Sequence, residues 1–234
     1  MEFRTVLCFT IIMLSVGGCS DDGNEAPAQP REIIFGFADD AEGWVGDFAD
    51  YPAGAEDFYE LIFSYANLPA PLDEARGSLM LSGNNHSDDL FMFVKKQVSG
   101  LKPDAVYDLT FNVEFASNVA DGTVGVGGSP GEGVAVKVGA TVVEPVKELD
   151  SYDGYLRMNI DKGMQSQDGD DMIVIGDFSN DTDQSVYTLK TVANQTPFRV
   201  QADALGKLWL IVGTDSAFEA TTTIYISRIA VLLN

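Results

Sequence analysis

The chain has 234 residues, with 14 Lys and Arg against 36 Asp and Glu and a single His, for a formal net charge of −22. Such acidity excludes nucleic acid as a partner, because neutralising phosphates needs a basic face. With 45% hydrophobic, 10% aromatic and 21% charged residues the composition is that of a folded protein, and the length suits one all-β domain.

Met1 to Arg4 form a short n-region, and Thr5 to Val16 an apolar run. That run is too short to cross a bilayer of about 30 Å as a helix, so residues 1–18 read as an export signal. Val16-Gly17-Gly18-Cys19 resembles the lipobox of bacterial lipoproteins. The resemblance implies that Cys19 is lipidated and becomes the mature first residue, so that a lipid anchor supplies the membrane contact. An ordinary signal peptide with a cysteine near its cleavage site is the alternative. If Cys19 is modified, Cys8 leaves with the signal, which rules out disulfides, thiolate catalysis and Cys-based zinc sites. Residues 19–30 have no apolar periodicity and read as a flexible acidic tether. Ser20 after the cysteine fits outer-membrane sorting, and Ser20-Asp21-Asp22 resembles the acidic signal that sends lipoproteins of Bacteroidetes-type bacteria to the cell surface.

From residue 31 the dominant signal is period two, the mark of strands with one apolar face. Ile33-Phe35-Phe37, Tyr59 to Tyr65, Leu79-Leu81, Leu90 to Val94 and Tyr107 to Phe115 come first. Val134 to Val138, Leu156 to Ile160, Met172 to Ile175, Val186 to Leu189, Phe198 to Gln201, Leu208 to Val212 and Thr223 to Leu232 follow. No stretch of a dozen residues has helical spacing. About a dozen short strands separated by Gly, Asp, Asn and Pro predict one all-β domain over 31–234, an antiparallel β-sandwich of jelly-roll type.

Three segments resemble landmarks of galactose-binding-like jelly rolls, the group that includes many carbohydrate-binding modules. They are Phe35 to Trp44, with its acidic turn; Gly100-Leu101-Lys102-Pro103 running into Tyr107 to Phe111; and the closing Ile224 to Val231. The resemblance implies a structural calcium near the first and last strands, which Asp39, Asp40 and Glu42 could hold, although Ser227 stands where an acidic residue is expected.

Other acidic clusters stand on their own chemistry. Asp168, Asp170 and Asp171, and Asp177, Asp181 and Asp183, supply the hard oxygen ligands that calcium takes six to eight at a time, but neither fits the helix-loop-helix template. Solvated turns are the plainer reading. His86, as the only histidine, cannot build a His-based zinc site, and no Gly-x-Ser-x-Gly elbow accompanies it. The glycine-rich segment 122–133 lacks both phosphate-binding fingerprints and reads as a flexible loop, a candidate cover for a binding face.

Sugar recognition would use aromatic faces together with amides and carboxylates. Trp44, Tyr51, Tyr59, Tyr152 and Tyr155, with Asn159, Asp161 and Gln165, are the candidates, the alternative for Trp44 being a core role. The expectation is an outer-membrane lipoprotein with a non-catalytic glycan-binding module. The competing readings are a structural or adhesive protein that binds an envelope protein, and an enzyme using a carboxylate pair.

Overall fold

A computed structural model of the chain describes residues 30–234. Cys19, the lipobox and most of the tether lie outside the described residues. Every regular element among those residues is a strand. In chain order these are β1 (Arg31–Phe35), β2 (Val45–Ala49), β3 (Tyr51–Pro52), β4 (Ile62–Asn67), β5 (Gly77–Asn84), β6 (Leu90–Val98), β7 (Val106–Ser117) and β8 (Val134–Thr141). There follow β9 (Lys147–Leu149), β10 (Tyr155–Met158), β11 (Met172–Asp177), β12 (Thr188–Ala193), β13 (Phe198–Gln201), β14 (Leu208–Ser216) and β15 (Thr221–Leu233).

One sheet runs β12-β7-β15-β5-β4, with β1 also on β15 and β13 also on β7. The second runs β11-β8-β14-β6-β2, and all its pairings are antiparallel. The antiparallel β-sandwich expected from the periodicity is what the protein contains. Leu79 and Leu81 of β5, Leu109, Phe111, Val113 and Phe115 of β7, and Ile224, Ile226 and Ile229 of β15 meet Met92, Val94, Val136, Val138, Leu210 and Val212 of the other sheet in one core. Each such side chain contributes about 1.5–3 kcal/mol of burial.

The two sheets differ on their outer faces. Along β7 buried and half-buried residues alternate, so that sheet has one wet face. All eight residues of β8 are buried, as are seven of the nine in β6, including the unbroken run Leu90 to Lys95, which requires a cover on both sides. The cover is the excursion 142–171, which contributes β9 and β10 of the small sheet β3-β10-β9.

Candidate functional site: a charged cleft at the sandwich rim

Alternation along β6 sends Leu90, Met92 and Val94 inward and Phe91, Phe93 and Lys95 outward. The outward rings stack at 5.2 Å and 14°. With Ala49, Met172 and Ile211 they form a second apolar cluster, onto which Met158 and Ile160 of the excursion pack. Lys95 Nζ pins this cover by donating to Glu144 Oε1 at 2.8 Å and to the Pro145 carbonyl at 2.7 Å. The outer face is therefore closed, and by 142–171 rather than by the glycine-rich loop. The latter packs against Ala217, Phe218, Glu219 and Ser179 instead.

Beneath one end of the cover lies a cluster of six charged side chains. Oxygen atoms of Asp50, Asp89 and Asp215 lie within 4.8 Å of one another, the group of three acidic residues among the described residues with that convergence. Lys162 Nζ sits 2.8 Å from Asp215 Oδ2 and 2.9 Å from Asp50 Oδ2. Lys137 Nζ donates to the same Asp215 oxygen at 3.2 Å and to the Gln167 carbonyl at 2.8 Å. Arg157 donates to Asp50 Oδ1 at 3.1 Å and to Asp153 at 3.0 Å, and lies 3.9 Å from Asp89 Oδ2. Lys162 can enter because the backbone turns tightly after it. Gly163 has φ +69°, and a Cβ there would meet the Gln167 carbonyl at 2.2 Å.

Burial, reinforced by the neighbouring Asp215 charge and only partly countered by Lys162, pushes the Asp89 carboxyl up to about 8. For Lys162 burial works against the charge, but Asp215, Asp50 and Asp89 outweigh it and hold the ammonium well above its ordinary range. Lys137 goes the other way, since its burial exceeds the help from Asp215. Three carboxyl groups thus share the cluster with three basic side chains built into the chain. A divalent ion would have to displace Lys162 from between Asp50 and Asp215, so the residues present fit an ammonium and not calcium.

The cluster opens to solvent through a cleft of about 260 Å³ lined by Asp50, Asp89, Arg157, Lys162 and Met164 among others. One aromatic ring packs on the lining residue Arg157, and an aromatic group includes His86, three residues before Asp89. The Arg157 guanidinium lies 4.6 Å over the Tyr155 ring. Phe58, 63% exposed, stacks on His86 at 4.1 Å, and the Tyr59 ring meets His86 edge-on at 5.4 Å. Gln165 Nε2 donates to the Asp88 carbonyl at 2.7 Å, tying the cover to the loop that carries His86.

The residues singled out from sequence are divided by this arrangement. Tyr155, Asp161 and Gln165 lie at or beside the cleft. Trp44, Tyr51 and Tyr59 are corrected: all three are buried in the main core, where Trp44 packs edge-on against Phe35 at 5.3 Å, and they offer no ring face to a ligand. Tyr152 is 97% exposed at the tip of the β9–β10 turn. Asn159 spends its amide on its own turn, accepting from Val146 N–H and donating to the Glu144 carbonyl, both at 2.9 Å. Phe58, His86, Asp50, Asp89 and Arg157 were not expected at a site. The β-period of Leu156 to Ile160 was the signal that could have pointed to Arg157, which alternates with two apolar residues.

Most of the carboxylates put forward for calcium make protein contacts of their own. Glu42 Oε1 accepts Gly36 and Phe37 N–H, and Asp40 accepts Glu42 N–H, so the first acidic turn closes on itself. Asp161 accepts from Gly163 and Asp170, Asp171 accepts from Asp161, and Asp168 accepts from Val174. These bonds close the loop that carries Asp168, Asp170 and Asp171. Asp177 and Asp181 both pair with Lys190 Nζ, at 2.9 and 2.8 Å, which fills the place of an ion. Asp183 instead accepts from the neighbouring Gln184 amide.

No protein-family model matches the sequence, and no curated protein matches it. Solved structures of similar shape include one reported for promiscuous specificity among carbohydrate-binding modules of the β-sandwich superfamily, at 10% identity and TM-score 0.37 over 79% of this chain and 55% of that one. The chain therefore spans little more than half the length of that structure. A carbohydrate-binding module studied for specific mannan recognition shares 12% identity, TM-score 0.39, over 88% of this chain and 99% of its own. A cleaved adhesin domain of Lys-gingipain from Porphyromonas gingivalis shares 12% identity, TM-score 0.37, over 87% and 98%. At such identities and scores none of these resemblances decides a ligand.

Proposed function

We propose that the protein is an outer-membrane lipoprotein, exposed at the cell surface, whose β-sandwich is a non-catalytic module that binds a glycan at the rim cleft. The observation that carries this reading is a cleft lined by the Asp50 and Asp89 carboxyl groups and by the Arg157 guanidinium, which packs on the Tyr155 ring, with the exposed Phe58 ring stacked on His86, three residues before Asp89. Flat rings suit the apolar faces of pyranoses, and a guanidinium with carboxyl groups suits their hydroxyls. The ligand is a neutral glycan, because a protein of net charge −22 repels uronates and sulfates. The lipobox-like Val16 to Cys19 supports the anchor.

A glycan array probed with the full chain tests this. Retention of neutral glycans, lost in Phe58→Ala and Arg157→Ala, is expected; no retention by the native chain, with specific capture of one envelope protein, would overturn it. One observation favours that second, adhesive reading: Val124, 92% exposed, and Val126 stand at the tip of the glycine-rich loop as apolar side chains without cover.

A further inference from the structure

Lys137 and Asp215 form an unusual pair even among buried ions. Both side chains are fully buried, on adjacent strands β8 and β14, with Lys137 opposite Gly213 and Asp215 opposite Ala135, so that the two are diagonal neighbours on one face. Their atoms stand 3.2 Å apart without intervening solvent. Asp215 uses Oδ2 for both lysines, while its Oδ1 is buried with no hydrogen-bond partner. Asp89 Oδ1 is also buried and without a partner, and a carboxyl oxygen of Asp89 lies within 4.8 Å of one of Asp215. A proton shared between two such carboxyl groups gives an unpartnered acceptor its missing hydrogen bond.

We propose that Lys137 and Asp215 condense into an intramolecular amide that cross-links β8 to β14 beneath the cover. The Lys137 amine attacks Asp215 Cγ, an Nζ–Cγ bond forms, and the Cγ–Oδ1 bond breaks. Asp89 supplies its carboxyl proton to the departing oxygen and relays one from the attacking nitrogen. A neutral amine, a carboxylate and one proton yield one amide and one water, and no oxidant or co-reactant is needed. The oxygen that leaves is the one without a partner, and Asp89 is left as a carboxylate facing Arg157 at 3.9 Å.

The electrostatics run in the direction the chemistry requires. Burial lowers the Lys137 ammonium, making the free amine more accessible, while Asp89 is held protonated. Lys162, held firmly charged, is the counter-ion and not the nucleophile. Exclusion of water from a fully buried pair holds the reactants at contact distance. Both cysteines precede the described residues, so this amide is the covalent staple the sandwich has the means to form.

Mass spectrometry of the purified full chain tests the proposal. The native protein is expected to weigh about 18 Da less than its sequence requires, after allowance for any processing, and digestion should yield a branched peptide joining Lys137 to Asp215. Lys137→Arg should restore the full mass. Asp89→Asn keeps both partners and removes the proton donor, so its cross-link should form about a hundredfold more slowly. The native chain at full mass after prolonged incubation would overturn the proposal. A branch at Lys162 would overturn the assignment to Lys137. The native mass requires no variant to fold, so either result is decisive.

Discussion

Lys162 lies closer to Asp215 than Lys137 does, with Nζ 2.8 Å from Oδ2 against 3.2 Å, and it bridges from there to Asp50. It reaches them from the excursion 142–171, so this contact locks the cover to the sheet. In Lys137→Arg, where Asp215 stays a carboxylate, replacing Lys162 by Met removes the bridging charge and leaves buried carboxylates uncompensated. We expect a loss of about 3–5 kcal/mol, read from chemical denaturation. An unchanged midpoint would show that the cover is held by its apolar contacts alone.

Calcium removal should do nothing. The Asp168 and Asp171 side chains accept backbone N–H groups of Val174 and Asp161, Asp177 and Asp181 hold Lys190, and Lys162 occupies the three-carboxylate cluster. A chelator should leave the melting temperature unchanged at constant ionic strength, and a drop of several degrees would contradict that assignment.

Asp89 makes stability depend on pH. Its folded value, about 8, lies above the ordinary carboxyl range, so between roughly pH 4 and 8 the folded chain holds a proton that the unfolded chain has lost. Stability contributed by this group is therefore full below pH 4 and falls as pH rises toward 8. In Lys137→Arg, which cannot condense, denaturation midpoints should decline across that window. Adding Asp89→Asn should flatten the decline, a difference on the order of 1 kcal/mol or more. A parallel decline in both chains would assign the effect elsewhere.

Trp44→Ala should behave as a core deletion. The side chain is buried against Phe35, and its loss should lower stability by about 3–5 kcal/mol. Glycan affinity of the folded fraction should not change, whereas a ligand-contacting Trp44 would lose binding with little loss of stability.

Architecture was legible because burial imposes period two on a strand with one wet face, as in Tyr107 to Phe115 of β7. Boundaries slipped where turns carry apolar residues: Tyr59, counted with a strand, precedes β4, which begins at Ile62. Short strands such as β2 and β9 have too few alternations to signal themselves.

The site was legible only in part. Tyr155, Asp161 and Gln165 were found because they fall in one polar segment. Asp50, Asp89, Lys137, Lys162 and Asp215 lie far apart in sequence, and nothing local distinguishes a buried carboxylate from a solvated one in so acidic a chain. Acidic residues clustered in sequence proved to be turn-closers, whereas those clustered in space come from separate elements. Aromatics beside turns divided by burial, which adjacency to a turn does not encode: Tyr51 went inward, and Phe58 outward.

The central claim, a glycan site at the rim cleft, is tested most directly by titrating a neutral glycan retained on the array into the native chain and into Arg157→Ala. The account predicts saturable binding to the native chain, weakened about tenfold or more in the variant at equal foldedness. Equal affinity in the two chains would place the ligand elsewhere and contradict the account.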